Sequence, residues 1–196
     1  MDMKIRGTFT VMITAFKKDG RLDLDAQARF TDWQVRSGIH GLIPLGSTGE
    51  FLSMSFEEKK AVAECVISTV NGRVPVLVGA GAESTEEVIE NVEMAQQLGA
   101  DGTMIIPPFY STPTNEELFR HFERISEKAT KPIMLYNNPA TANVDLTPDF
   151  VKCSNHHSKG TANFHVHLLT LLKSKNIFGV LIYNLVQKTA IQTQSY

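Results

Sequence analysis

The sequence predicts an α/β fold built on a parallel sheet. Short apolar runs recur about every 30 residues through residues 8–150, as is typical of strands that are buried on both faces. Segments with an apolar residue every three or four positions separate these runs and predict amphipathic helices. Five strands that alternate with helices require right-handed parallel crossovers. The fold is therefore either a doubly wound sheet or the first part of a (β/α)8 barrel.

The elements follow one another in a regular order. The predicted strands are Phe9–Phe16, Gly41–Leu45, Pro75–Val78, Gly102–Ile106 and Pro132–Tyr136. The first helix shows an apolar stripe at Ala26, Phe30 and Trp33. The next three helices begin at capping boxes, in which a hydroxyl and a carboxylate satisfy each other's backbone N–H groups: Ser55–Glu58, Ser84–Glu87 and Thr114–Glu117. Glycines in the left-handed conformation are expected to end the first three helices, at Gly38, Gly72 and Gly99. Thr147 before Pro148 predicts the start of a fifth helix.

Composition excludes several classes of protein. The formal net charge of the 196 residues is −2, which argues against a general nucleic-acid surface because phosphate binding needs clustered cations. No apolar run is long enough for a membrane-spanning helix, and we see no secretory signal. Cys65 and Cys153 are too few for a disulfide framework, so we expect a cytoplasmic protein.

The chain divides into two parts of different character. Residues 1–150 hold all 21 acidic residues, whereas residues 151–196 contain five lysines and neither acid nor arginine. Helices that face water normally carry acidic residues. We therefore divide the chain into a first part, 1–150, and an atypical tail, 151–196, which could be a frameshift, a splice product or a genuine extension.

Chemistry is expected where the strands end, because function lies at that edge in both candidate architectures. The loop Gly46–Glu50 has two glycines that let a ligand approach the backbone, and its Ser47 and Thr48 hydroxyls suit a carboxylate. Tyr110 and Tyr136 lie at two further strand ends and could move protons. No phosphate-binding glycine motif is present, which disfavours a nucleotide-binding domain. Four histidines fall in the tail, but their spacing predicts no zinc site.

Four ordered motifs give the chain a resemblance to a known family. Gly46-Ser-Thr-Gly-Glu50, Val78-Gly-Ala-Gly81, Pro107-Pro-Phe-Tyr110 and Tyr136-Asn-Asn-Pro139 resemble those of the dihydrodipicolinate synthase / N-acetylneuraminate lyase family of class I aldolases. The resemblance implies a (β/α)8 barrel, a homotetramer, no cofactor and no metal. It also implies that a lysine on the sixth strand forms a Schiff base with pyruvate or another 2-oxo acid.

The same resemblance implies roles for individual residues. Gly46, Ser47 and Thr48 would bind the carboxylate of the 2-oxo acid. Ser47 would relay protons with Tyr136, the main acid/base group, and with Tyr110, which would come from a neighbouring subunit. We therefore expect Tyr136, Tyr110 and Ser47 to be the catalytic residues.

The chain departs from the family pattern at two places. The spacing of the family places the lysine near Phe164, and the best strand-like match, Asn176–Leu181, has Leu181 at the lysine position. We find no Schiff-base lysine, and leucine has no amine. An arginine that the synthase branch carries after the Tyr-Asn-x-Pro segment is also missing, since the chain reads Pro139–Ala142 there. This favours an aldolase or dehydratase branch over the synthase itself.

These observations predict an incomplete (β/α)8 barrel with about five βα units and an atypical tail. A barrel that lacks strands leaves backbone groups unpaired, so we expect a chain that is marginally stable, covers the open edge with its tail, or associates. The leading functional hypothesis is a lyase of the Schiff-base aldolase family that is itself inactive. The alternatives are a non-catalytic protein that binds a 2-oxo acid or full-length relatives, or, within the family, a dihydrodipicolinate synthase.

Overall fold

Strands and helices alternate along the first 142 residues. The computed structural model describes residues 5–147 and 150, and the backbone of 164–174 and 177–184. The strands are β1 Gly7–Val11, β2 Gly41–Ile43, β3 Leu77–Gly79, β4 Gly102–Ile105, β5 Ile133–Leu135, β6 Phe164–Ser174 and β7 Ile177–Asn184. The helices are α1 Leu24–Arg36, α2 Phe56–Val70, α3 Thr85–Gln97, α4 Asn115–Lys128 and α5 Pro139–Ala142. None of the helices in this part of the chain is long and apolar enough to cross a membrane.

The strands form one seven-stranded sheet in the order β2-β1-β7-β6-β5-β4-β3. Neighbouring pairs among β1–β6 are parallel, whereas β7 runs antiparallel to both β1 and β6. A single parallel bridge pairs Leu42 of β2 with Val76, the residue before β3. The predicted α/β fold with a parallel sheet is confirmed. Because all five first strands point the same way, their carboxyl ends meet at one edge.

Each of the first five strands sends one side chain into a shared inner cluster. The members are Phe9, Ile43, Leu77, Met104 and Met134, and Tyr136 packs against them. Two outer clusters fill the space between sheet and helices, one around Phe122 and one around Val66. The inner cluster therefore forms the floor beneath the loops that follow the strands.

The predicted helix ends are confirmed for the most part. Ser55 and Thr114 form complete capping boxes with Glu58 and Glu117, while Ser84 only accepts a hydrogen bond from the Glu87 N–H. The Glu87 carboxylate instead lies 3.4 Å from Lys59 Nζ. Gly38, Gly72 and Gly99 all have the expected left-handed φ, between 70° and 88°. The Phe150 N–H donates to Thr147 Oγ1 over 3.3 Å, as expected for an N-cap, but the helix predicted beyond it lies outside the described residues.

The apolar stripe of the first helix is only partly buried, since Ala26 and Phe30 are half-buried and Trp33 is not. Trp33 is 61% exposed and stacks on the half-buried Phe30 with ring centroids 5.9 Å apart. The buried face of α1 instead carries Gln27, Thr31 and Gln34. Gln27 accepts a hydrogen bond from the Ala15 N–H over 2.8 Å, so this polar face holds the loop after β1. At α1, the need for hydrogen bonds to the loop outweighs the apolar periodicity in determining which face of the helix is buried.

The tail strands differ in direction from the prediction. Leu181, which the best strand-like match places at the lysine position of a sixth strand, lies in β7, and β7 runs antiparallel to β1 and β6. The strand parallel to β5 is β6, which begins at Phe164 and pairs Leu135 with Val166. Together the two tail strands pair with both β1 and β5. Of the three behaviours expected of the chain, this pairing corresponds to the one in which the tail covers the open edge.

Candidate active site

The loop after β2 has a strained backbone. Ser47–Gly49 forms a single 3-10 turn. Leu45, two residues before the turn, and Glu50, directly after it, have φ angles of 61° and 59°. Side chains with a Cβ rarely adopt this region, and each such residue costs on the order of 1–3 kcal/mol. The Thr14 hydroxyl, in the loop after β1, donates to the Gly49 carbonyl over 2.7 Å. The surrounding fold thus fixes a strained loop whose Ser47 and Thr48 side chains are exposed.

Ser47 and Tyr136 line the same small cavity above the inner cluster. Gly46, Gly79 and Gly81 are among the other residues around it. Its volume is ≈ 10 Å³, close to the space that one water molecule needs. The structure therefore brings together two of the three residues that we expected to be catalytic.

Tyr136 is fixed by the chain on both sides. Its N–H donates to the Ile105 carbonyl over 2.8 Å, which continues the β4–β5 pairing. Its phenolic oxygen accepts a hydrogen bond from Asn138 Nδ2 over 2.9 Å. The neighbouring Asn137 donates to Asp145 Oδ1 over 2.7 Å. The sequence motif supplies the tyrosine, and the amide of Asn138 sets the direction of its hydroxyl group.

Tyr110 lies away from the cavity. Its side chain is 89% exposed, and it is not among the residues that line the space beside Ser47. Its neighbour Phe109 packs edge-on against Phe51, with ring centroids 6.3 Å apart and an interplanar angle of 89°. This contact ties the loop after β4 to the loop after β2, but a single chain does not bring Tyr110 to Tyr136.

Glu83 holds the backbone of the Tyr110 loop. Its Oε2 accepts from the N–H groups of Phe109 and Tyr110 over 3.0 and 3.1 Å. Its Oε1 accepts from the Ser111 N–H over 2.9 Å and from the Ser111 hydroxyl over 2.7 Å. Burial alone would raise the pKa of Glu83, but these hydrogen bonds outweigh it and hold the pKa below its usual range.

A second cavity, ≈ 340 Å³ in volume, lies behind the Tyr110 loop and against α3 and α4. His121 lines it and is 7% exposed. Its Nδ1 is 2.9 Å from the Thr85 hydroxyl. Burial lowers the pKa of His121 to about 4, with Glu83 opposing the shift and Arg124 adding to it.

We expect this histidine to make the protein sensitive to acid. Since the folded pKa is about 4 and the unfolded one about 6.5, the unfolded chain binds the proton first as the pH falls. The free energy of unfolding should therefore be highest above pH 6.5 and fall by about 3 kcal/mol as the pH drops to 4. Urea denaturation across this range would measure the loss.

Two variants separate His121 from the other groups that titrate. His121→Gln should remove most of the loss between about pH 6.5 and 4. Lys128→Gln, which changes an exposed residue of the same helix, should leave it in place. An equal loss in His121→Gln and in the unaltered chain would contradict the assignment.

The sequence did not single out Glu83, Asn138 or His121. Glu83 lies two residues after one of the strand-end motifs, and Asn138 lies inside another, so position at the strand ends was the available signal. His121 had none, because it lies within an ordinary helix. The metal prediction stays open to test: the described residues contain no group of three potential metal ligands, and His156 and His157 lie outside them.

Comparisons with known proteins bear on this arrangement. The profile of the Dihydrodipicolinate synthetase family matches residues 4–157. The 4-hydroxy-tetrahydrodipicolinate synthase of Maridesulfovibrio salexigens is 40% identical over 149 residues, which are 76% of this chain and 51% of that protein. The chain thus spans about half the length of that relative.

Solved structures agree with the sequence comparison. YagE from Escherichia coli K12, a prophage protein of the dihydrodipicolinic acid synthase family in complex with pyruvate, superposes with a TM-score of 0.74 at 42% identity, over 76% of this chain and 50% of that one. The dihydrodipicolinate synthase of Acinetobacter baumannii, complexed with pyruvate, superposes with a TM-score of 0.79 at 32% identity, over 85% of this chain and 56% of that one. The chain belongs to the dihydrodipicolinate synthetase family, a family of lyases.

Proposed function

We propose that this chain retains the 2-oxo-acid recognition half of a Schiff-base aldolase and lacks the amine for the covalent step. The observation that carries the proposal is the shared cavity of Ser47 and Tyr136; Thr48, the next residue of the same loop, is exposed but is not among the residues that line the cavity. The pyruvate complexes of relatives support the choice of ligand. The five βα units would be the first part of a (β/α)8 barrel, followed by the β6–β7 hairpin.

The carboxylate of the ligand would bind at Gly46, Ser47 and Thr48. Two hydroxyl donors and the N–H groups of a glycine-containing turn can together surround an anion. The cavity behind them has space for about one water molecule, so the ligand would lie over its mouth rather than inside. Tyr136 would face the reacting carbons from the end of β5 and exchange protons through Ser47.

Tyr110 would act on a neighbouring subunit rather than on its own. Its 89% exposure fits a residue that a second chain covers. This observation also favours a second role, in which the chain associates with another copy or with a full-length relative and turns over no substrate. The two roles are compatible, since both use the family's subunit contact.

The covalent step requires a lysine amine next to Tyr136. An amine and the ketone condense to an imine with loss of water, and the iminium then accepts the electrons of the bond that breaks. Leu135 pairs with Val166, so the residues of β6 nearest to Tyr136 in register are His167 and its neighbours. The only lysine of β6 is Lys173, seven residues past Val166, which at 3.3 Å per residue is roughly 23 Å along the strand.

Pyruvate provides the direct test. Titration followed by ligand-observed NMR should show reversible binding, and borohydride added to the mixture should leave no covalent adduct in the mass spectrum. Ser47→Ala with Thr48→Val should weaken binding by about tenfold or more, because each removes a hydrogen bond to a charged group. Ser53→Ala, on the neighbouring turn Phe51–Ser53, is the matched control.

Each outcome decides one part of the proposal. Absence of pyruvate binding, or equal binding by the double variant and Ser53→Ala, would contradict the recognition site. A trapped adduct on any lysine would contradict the loss of the covalent step. A full-length family enzyme treated in the same way supplies the positive control for trapping.

A further inference from the structure

Beyond Phe109, the described contacts of the loop that carries Tyr110 are hydrogen bonds to Glu83. Tyr110, Ser111 and Thr112 are exposed, and the ≈ 340 Å³ cavity lies behind the loop. Phe109 anchors the start of this stretch, because it packs edge-on against Phe51 and against the outer cluster around Val66. A loop with an empty space behind it and exposed residues in front can adopt other conformations unless polar contacts prevent it.

Glu83, which lines this cavity together with Ser111, supplies these polar contacts. Both of its carboxylate oxygens are used, and together they accept three consecutive N–H groups and one hydroxyl from residues 109–111. Hydrogen bonds to an ionised acceptor are about twice as strong as neutral ones. Since three adjacent amides point at one carboxylate, the backbone at Tyr110 is fixed and its side chain is directed to solvent.

We propose that Glu83 is a positioning residue that presents Tyr110 to a second chain. The inference rests on the proposed function, because Tyr110 matters to it only as a residue delivered across a subunit contact. Glu83 itself touches no ligand and acts through the loop. A merely local role, in which Glu83 stabilises the fold without affecting delivery of Tyr110, is the competing explanation.

Glu83→Gln tests the loop with little change in size. The glutamine has one oxygen where the carboxylate has two, so its amide nitrogen must face one of the two pairs of donors. Hydrogen exchange of the peptide that spans residues 107–113 should become about 10- to 100-fold faster. Glu90→Gln makes the same chemical change at an exposed position of α3 and should leave the exchange unchanged.

Measuring self-association then distinguishes presentation of Tyr110 by Glu83 from a purely local role of Glu83. Sedimentation velocity on the whole chain should show that Tyr110→Ala weakens association by about tenfold or more. Glu83→Gln should weaken it too, and the double variant should be no worse than Tyr110→Ala alone. Such a non-additive cycle means that Glu83 acts through Tyr110.

Three results would overturn the proposal. They are unchanged exchange in Glu83→Gln, additive effects in the double variant, and a wild-type chain that stays monomeric at the highest concentration reached. Failure of 2-oxo-acid binding is recognised separately, because it would appear in the pyruvate titration of the wild-type chain. Glu83→Gln should leave that titration unchanged, since Ser47 and Thr48 lie on another loop.

Discussion

A chain that ends at residue 150 is expected to lose cooperative folding. The tail strands fill the space between the two edges of the five-stranded unit: β5 pairs with β6 at three positions, and β1 pairs with β7 at three. Without them, rows of N–H and C=O groups beside the inner cluster have no partners. Each buried unsatisfied group costs about 1–3 kcal/mol, whereas a domain's net stability is about 5–15 kcal/mol.

Thermal denaturation followed by far-ultraviolet circular dichroism would measure the effect. The chain 1–150 should show a broad, weak transition and should aggregate in size-exclusion chromatography. A chain that ends at Asn184 retains both tail strands and is the matched control, with a transition close to that of the full chain. A sharp transition at an unchanged temperature in the 1–150 chain would mean that the tail strands add nothing to stability.

The elements of the first part could be predicted because several local signals agree there. At α2 and α4, a hydroxyl, a carboxylate three residues later and an apolar stripe all indicate the same start, and Ser55 and Thr114 cap as expected. At α1 the apolar stripe ended in an exposed Trp33. Periodicity reports which residues are apolar, and it carries no information about backbone groups of a nearby loop that need partners, such as the Ala15 N–H.

The candidate site was predictable to the extent that its residues stand at strand ends. Ser47 and Tyr136 are 89 positions apart in the sequence, yet parallel strands bring their carboxyl ends to one edge, and both line the cavity. Glu83 could not be found in this way. Its partners are backbone N–H groups 26 to 28 residues away. Because almost every residue type carries the same backbone N–H, the sequence does not indicate which of these groups will need a partner.

The direction of the tail strands could not be predicted for a related reason. The alternation of apolar residues after residue 163 indicates strands, but the direction of a strand depends on the partner it finds. A short connection between β6 and β7 permits only an antiparallel hairpin, and this fixes Leu181 opposite Thr8 and Thr170. The expectation of a parallel sixth strand at that position came from the resemblance rather than from the connection length.

Gly79→Ala is expected to cost about 3 kcal/mol or more of the free energy of unfolding. An added Cβ would lie 2.1 Å from the Leu45 carbonyl oxygen and 3.2 Å from the Gly46 nitrogen. Both contacts are with backbone, which cannot rotate away as a side chain would, and Leu45 already has a left-handed φ. The ends of β2 and β3 must therefore separate, which moves Gly46 and Ser47 from their places beside Tyr136.

Gly20→Ala distinguishes this crowding from the general effect of removing a glycine. Gly20 has nothing within 4 Å of an added Cβ, although its φ is +86°, so we expect a loss of about 1 kcal/mol from the backbone alone. Urea denaturation of the two variants compares the costs, and pyruvate titration at low temperature shows whether the folded fraction of Gly79→Ala still binds. Because the predicted displacement is centred on the carboxylate loop, loss of binding should exceed what partial unfolding explains. Equal costs for the two substitutions, with binding retained, would mean that the β2 and β3 ends can part without disturbing Ser47.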